Sequence, residues 1–301
     1  SEIPHEIIIG RNKQIELKKS EDVAELIAIM LGDGHLNLNG ILISIALNNI
    51  DDERYVIYVR NLLTKLFKGI YIAEKSIENS KGYVFIINSK SVHQSLMSKG
   101  LIPGNKVKNQ VDIPNWIFLS IKFSARALKG LFDTDGSISV NKKSKSLILS
   151  FSNASKPIVE GFKKLCNSIN IQTGRVNGPY FSTKKSYKSV SKMFMVSIES
   201  KEQVKRFLQK INPEKFKEPY RYYWLGLNLM ILGFPIYIRR KIEHAIEKYK
   251  VKNSLKKLIY SKRNVIFLKA LYEKEFKISS NNKNSKIIKS LIDNEIKKSL
   301  T

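Results

Sequence analysis

Leu26-Ile27-Ala28-Ile29-Met30-Leu31-Gly32-Asp33-Gly34 is matched 102 residues further on by Leu128-Lys129-Gly130-Leu131-Phe132-Asp133-Thr134-Asp135-Gly136. Each stretch is an apolar helical run with a small residue at its third position, and each ends in Asp-Gly before a strand-like segment. A repeat offset close to the size of one small domain reads as an internal duplication. The ends of the two runs carry the chemistry. A carboxylate at a helix C-terminus sits at the negative end of the macrodipole, and a helix that only had to stop would use glycine alone. If the two helices pack side by side, Asp33 and Asp135 meet at one end. Two close carboxylates repel unless they share a proton or a cation, so the arrangement invites a divalent metal.

The predicted order of elements is the same in both halves. Ser20 caps the first helix, with Glu21 and Asp22 in its first turn, and Ala24, Ile27, Ala28 and Leu31 form a narrow apolar seam. Ser124 is expected to cap the second, with Ala127, Gly130 and Leu131 inside. Behind the first helix come a hairpin over His35–Asn39 and Ile41–Leu47, a helix over Asp51–Lys68, a hairpin over Ile70–Ser76 and Gly82–Asn88, and a helix over Ser91–Lys99. Behind the second come a hairpin over Ser137–Val140 and Ser146–Ser152, a helix over Lys156–Asn170, a hairpin over Gly174–Tyr180 and Lys192–Ile198, and a helix over Lys201–Ile211. The fold class expected is α+β: tandem αββαββα lobes related by a pseudo-twofold, with a helical C-terminal extension. The boundaries are 1–118 (a lobe with an N-terminal extension), 119–219 and 220–301.

The 301 residues carry 53 Lys+Arg against 26 Asp+Glu, a formal charge of +27, which favours a polyanionic partner. With helices on one sheet face, the other is free. Asn37, Asn39 and Ser44 in the first half, and Ser137, Ser139, Ser150 and Ser152 in the second, suit base edges in a major groove. His35, Asn48, Asn141, Asn153, Lys75 and Arg175 are further candidates for DNA contact. The hairpin-tip lysines Lys184, Lys185 and Lys188 suit phosphate. One cysteine, Cys166, excludes a disulfide framework and four-cysteine zinc modules, and reads as a small buried residue in a reducing compartment. The four histidines lack metal-ligand spacing, and neither a Walker loop nor a G-x-S-x-G elbow is present. Ser1–Lys19 is unlike a signal peptide. The apolar run Tyr222–Ile238, broken by Gly226, Asn228, Gly233 and Pro235, reads as a core helix rather than a membrane span. Val265–Phe276 and Ser285–Lys298 read as two amphipathic helices, either a helix-turn-helix-like DNA module or a brace for the core.

The two stretches resemble the paired motifs of the LAGLIDADG homing endonucleases in their single-chain form. The likeness extends through Gly100-Leu101-Ile102-Pro103-Gly104-Asn105-Lys106, Ile113-Pro114 and Leu128–Gly136, which resemble the linker and second motif of archaeal and intein-type members, and covers roughly residues 3–220. The first motif departs from the pattern at Ala28 and Leu31, where glycine and an acid are usual. The resemblance implies a site-specific, Mg²⁺-dependent DNA endonuclease, monomeric, acting on a long asymmetric site with short 3′ overhangs. Mn²⁺ is expected to substitute, and Ca²⁺ to bind without efficient cleavage. Asp33 and Asp135, with the carbonyls of Gly32 and Thr134, would hold metal. A basic residue after the last helix of each lobe would reach the site: Lys106 or its neighbour Lys108, and Lys215 or Lys217. The family's polar residue near the end of the second strand is Asn153 in the second lobe and falls at Leu47 or Asn48 in the first. If it is Leu47, the strands are cut at unequal rates. The chain lacks an intein's splicing residues and so reads as freestanding or intron-encoded, in the cytoplasm or nucleoid of a prokaryote, with an organelle left open. Two rival readings share the fold: an intron maturase binding RNA, hinted at by Tyr83 and Phe85, and a non-cleaving transcription factor, which predicts degraded aspartates.

Overall fold

The computed structural model describes residues 14–48, 52–77, 82–141, 144, 146–181 and 192–217. Lys184, Lys185 and Lys188, the Tyr222–Ile238 run and both C-terminal helices lie outside these described residues. The chain divides into two units. The first comprises Ser1–Ser137, Leu149–Ile198 and Arg206–Glu214; the second comprises Ile138–Ile148, Glu199–Lys205 and Lys215–Thr301. No helix among the described residues is long and apolar enough to cross a membrane.

Among the described residues the fold is mixed α/β with two antiparallel four-stranded sheets. The first half runs α1 (Glu21–Gly32), β1 (Gly34–Leu36), β2 (Leu42–Asn48), α2 (Glu53–Leu66), β3 (Ala73–Ser76), β4 (Gly82–Asn88) and α3 (Lys90–Ser98). A short helix α4 (Lys106–Asn109) and a 3₁₀ turn (Asn115–Leu119) lead to the second half. That half runs α5 (Ile121–Asp135), β5 (Gly136–Asn141), β6 (Ser146–Asn153), α6 (Lys156–Ser168), β7 (Asn177–Phe181), β8 (Lys192–Ile198), α7 (Lys201–Ile211) and α8 (Glu214–Lys217). The strand orders β1-β2-β4-β3 and β5-β6-β8-β7 are the same order repeated.

Local chemistry sets the helix ends. The Ser20 hydroxyl accepts the Val23 N–H at 3.3 Å, and two acids follow in the first turn of α1. In α5 the cap is Ser120 rather than Ser124. The helix starts one turn earlier than the seam indicates, and Ser124 is an interior residue whose hydroxyl donates to the Ile117 carbonyl at 3.2 Å. The first hairpin is also shorter than expected. β1 stops at Leu36 because Asn37 and Asn39 build a turn instead of a strand face: the Asn37 Oδ1 accepts Asn39 N–H, and the Asn39 Oδ1 accepts those of Ile41 and Leu42. The N-terminal extension packs on α3 through Ile15 and Leu17, whose N–H groups donate to the Ser91 hydroxyl and, at 2.8 Å, to the Ser95 hydroxyl.

In the first unit α1 lies along α5, and small residues set how closely. A Cβ on Gly130 would come within 2.6 Å of the Glu25 carbonyl oxygen and 2.9 Å of the Ala28 Cβ. Gly130→Leu should therefore force the helices apart, at a cost of about 1–3 kcal/mol. A lowered urea midpoint with an unchanged slope is the expected readout. Each sheet presents its apolar face to helices. Ile43, Ile45, Leu47, Phe85 and Ile87 are buried with α2 residues Tyr55, Val59 and Leu63. In the second half Phe151 stacks on Phe162 at 4.3 Å between ring centroids, and Phe207 packs against Phe132 at 5.0 Å. Cys166 is fully buried and burial pushes its thiol pKa up, in keeping with a packing role.

Candidate metal centre and nucleic-acid interface

Asp33 and Asp135 close α1 and α5 respectively, and both are half-buried. The Asp33 backbone is held twice, its N–H donating to the Ile29 carbonyl at 2.9 Å and its own carbonyl accepting the Ala46 N–H at 3.1 Å. At the neighbouring end of α5 the Asn153 Nδ2 donates to Asp135 Oδ2 at 2.7 Å, while the Asn153 Oδ1 accepts the Ser155 N–H at 2.8 Å. The amide is thus anchored on one side and orients the carboxylate on the other. Gly32 and Thr134 touch across the helix pair: a Cβ on Gly32 would fall on the Thr134 side chain. The Thr134 hydroxyl donates back to the carbonyls of Gly130 and Leu131 at 3.0 and 2.9 Å.

Lys106 reaches this end of α1 from α4. Its Nζ donates to the carbonyls of Met30 (3.2 Å), Leu31 (3.0 Å) and Gly32. These carbonyls end the helix, where a cation is favoured by the macrodipole. Burial pushes the Lys106 pKa down, and the charges of Asp135 and then Asp33 push against that, so the ammonium lies in the field of both carboxylates. Lys108 is exposed, so of the two neighbours Lys106 is the one on α1. The same field is felt by the fully buried Tyr55, whose pKa is raised by burial first and then by Asp133, Asp33 and Glu25. Lys215 and Lys217 lie in α8, in the second unit. The turn into α8 is tied down inside the first unit, where the buried Asp133 accepts the Glu214 N–H at 3.0 Å.

The strand registers decide which second-strand residue corresponds to Asn153. Ile43 pairs with Ile87 and Leu149 with Ile198, each just before a strand-to-helix joint. Four residues along, Leu47 pairs with Tyr83 and Asn153 with Phe194. The counterpart of Asn153 is therefore Leu47, which is buried and carries no polar group.

The same registers sort the candidates for DNA contact. His35, Ser44, Asn48 and Lys75 share the face of the first sheet opposite the buried rows, alongside Ala46, Val84 and Ile86. Ser150 and Ser152 lie on the corresponding face of the second sheet with Met195 and Ser197, and Ser137 and Ser139 are exposed on β5. Asn153 turns to the helix side, because it shares the parity of the buried Leu149 and Phe151. Asn37 and Asn39 sit in the turn after β1, and the exposed Arg175 precedes β7. Asn141 ends β5, where its Oδ1 accepts the Ser144 N–H at 3.2 Å. The aromatic pair Tyr83 and Phe85 is not an exposed stacking platform. Phe85 is buried, and the Tyr83 hydroxyl is bound to Glu74 and Arg60.

A charged cluster that motif reading does not reveal joins α1 to α5. Arg126 binds Asp22 and Glu25, both at 2.7 Å; Lys129 binds Glu25 at 3.2 Å and Glu214 at 3.1 Å; and the Tyr58 hydroxyl donates to Glu25 at 2.8 Å. Glu25 and Lys129 are buried. At the rim, Asp22 also pairs with Lys65 at 2.6 Å. Partial burial alone would raise the Asp22 pKa, but Lys65 and Arg126 hold it below the usual carboxylate value. A depressed folded-state pKa contributes stability that is full above the unfolded value near ~3.9 and is lost as pH falls through the folded value. Melting curves between neutral and acid pH should show this acid-side loss, and Asp22→Asn should flatten it.

Residues 122–212 match the family model of the LAGLIDADG-like domain. The chain carries a LAGLIDADG-like domain. Two proteins of Methanocaldococcus jannaschii are similar in sequence. The replication factor C small subunit is 33% identical over 42% of this chain, and an uncharacterized protein is 27% identical over 61% of it. The matches span 7% and 66% of those proteins. Similar solved structures include the homing endonuclease I-DmoI in complex with DNA and Mn, and the N-terminal LAGLIDADG domain of WhiA. Each has a TM-score of 0.42 and 15% identity over 64% of this chain, covering 96% and 80% of those chains. The LAGLIDADG-like match covers α5 and the second sheet, so the Asp135 end of the centre lies inside it and the Asp33 end outside it.

Proposed function

We propose that the chain is a site-specific double-strand DNA endonuclease that hydrolyses phosphodiester bonds with Mg²⁺. The observation that carries this reading is the neighbouring ends of α1 and α5. Each terminates in an aspartate, and the Lys106 ammonium lies on the α1 carbonyls in the field of both carboxylates. Two carboxylates with the Gly32 and Thr134 carbonyls make a hard-oxygen donor set of the kind Mg²⁺ prefers. The lysine ammonium on the same carbonyls supports a preference for positive charge at this end of the pair. Asp33 and Asp135 would hold the ion, which when bound supplies an activated water and stabilises the leaving oxygen. Asn153 keeps the Asp135 carboxylate oriented, and Lys106 offsets negative charge that develops on the phosphate. The open sheet faces, with His35, Ser44, Ser150 and Ser152, would read base edges, and the basic surface would bind phosphate in a salt-dependent way.

The test is a plasmid carrying the candidate insertion site, incubated with Mg²⁺ and separately with Ca²⁺. Site-specific linearisation in Mg²⁺ and binding without cutting in Ca²⁺ are expected. Tight binding to the site with no cutting in Mg²⁺ would replace the enzyme with a transcription factor of the same fold. Binding of intron RNA but not DNA would replace it with a maturase. The Asn153–Leu47 difference adds a kinetic expectation: supercoiled plasmid passes through a nicked form. Asn153→Leu should slow the cut made by the Asp135 half by roughly 10–100-fold, the usual worth of a group that orients a metal ligand. Strand-specific end labelling reads this directly.

A further inference from the structure

Lys106 occupies an unusual place for a surface-derived lysine. Its backbone is fixed on two sides: the Gly104 N–H donates to the Leu36 carbonyl at 2.8 Å, tying the segment to β1, and the Asn105 side chain accepts the Lys108 N–H at 2.9 Å, closing the α4 turn. From there the side chain runs inward and gives its ammonium to three consecutive carbonyls at the end of α1. One of these belongs to Gly32, beside Asp33 and against Thr134. The α1 end therefore already has a cation on the same oxygen that a divalent ion between Asp33 and Asp135 would use. A carbonyl oxygen shared by an ammonium and a divalent ion brings two positive charges within a few ångströms, in a partly buried place where their repulsion is weakly screened.

We propose that Lys106 is the resident counter-ion of the aspartate pair, and that a divalent cation must displace its ammonium from the Gly32 carbonyl in order to bind. This rests on the metal-dependent reading of the centre and adds a regulatory step to it. In its resident position the ammonium caps α1 and offsets the two carboxylates. Once displaced, it stays tethered to α4 beside the centre, free to meet a phosphate oxygen. A polyanion that draws the ammonium away from Gly32 therefore favours metal entry, and by linkage the metal favours polyanion binding to the same degree.

The test is Mn²⁺ binding, measured by calorimetry on the full chain without nucleic acid, so that no cleavage is read. Wild type is compared with Lys106→Gln, which keeps an amide donor for the carbonyls but no charge, with Lys106→Met, and with Lys106→Arg. Removing the competing charge should tighten Mn²⁺ binding by roughly tenfold or more in the Gln and Met variants, while Arg stays close to wild type. The Met variant should also melt earlier without metal, since α1 loses its cap, and should gain more from Mn²⁺ than wild type does. The Gln variant keeps the test decisive if Met fails to fold. Equal or weaker Mn²⁺ binding by Gln than by wild type overturns the counter-ion role while leaving the endonuclease reading intact. No Mn²⁺ binding by any variant overturns both the counter-ion role and the metal centre it rests on. The plasmid assay separately reports whether the protein cuts.

Discussion

Asp33→Asn and Asp135→Asn should each abolish double-strand cleavage, lowering the rate by roughly 10³-fold or more, because a neutral amide cannot replace a charge that must hold the metal and support an attacking water. The substitution keeps the size and the hydrogen-bonding shape of the side chain. Each aspartate ends a helix whose cap is made by backbone groups, the Asp33 N–H on Ile29 and the Gly136 N–H on Phe132. The fold should therefore survive both changes. DNA affinity should hold or rise, since one negative charge is removed near phosphate. The measurements are single-turnover cleavage in Mg²⁺ and a binding titration in Ca²⁺. Cleavage by both variants within about tenfold of wild type would remove the aspartates from the mechanism.

The second large effect is on stability. Glu25 is fully buried between α1 and α5, where it meets Arg126, Lys129 and Tyr58. Among the described residues, Glu25→Leu would leave the buried Lys129 with Glu214, and Arg126 with Asp22, as the remaining acidic partners. Removing one member of a buried ion pair costs about 3–5 kcal/mol, because the remaining charge is left poorly compensated. Lys129→Met removes the positive partner and should cost a similar amount. The double variant should recover much of the loss, since an apolar pair of similar volume is often as stable as a buried salt bridge. Urea titrations of the two single variants and the double variant measure this as a coupling energy. Single losses below about 1 kcal/mol would show the cluster to be solvated rather than buried.

The cluster also shows how the two halves of the duplication have diverged. The acids Asp22 and Glu25 are on α1, and the bases Arg126 and Lys129 are on α5. At the 102-residue offset, Glu25 corresponds to Ala127 and Lys129 to Ile27. The pair is held together by a charge pattern that neither helix could make with a second copy of itself. Each helix alone reads as a stripe with scattered charges, so nothing local announces the cluster.

Much of the architecture was legible because it is written in local patterns. The helical period, the alternating strands, the Ser20 cap and the two Asp-Gly ends depend on neighbours within a turn or two, and all of these appear in the structure. The repeat made the second half a check on the first, and the charge of +27 pointed to a polyanion whatever the fold. Misplacements occurred where side chains compete with the pattern. Asn37 and Asn39 alternate as a strand would but bind backbone N–H groups and make a turn. Ser124 stands where a cap was expected but lies inside a helix that begins at Ile121.

Sequence by itself thus determined the two helices, their acidic ends, the paired sheets and the basic character of the protein, all of which are set by short-range periodicity and composition. Tertiary structure decided which lysine reaches the α1 end, that Leu47 and not Asn48 corresponds to Asn153, and that Glu25 and Lys129 are buried partners. The Lys106 contacts join residues 74–76 apart in the chain, and the Glu25–Lys129 contact joins residues 104 apart. Contacts at that separation leave no local signature, because they depend on how the elements pack and on a strand register in which a one-residue shift reverses every side chain.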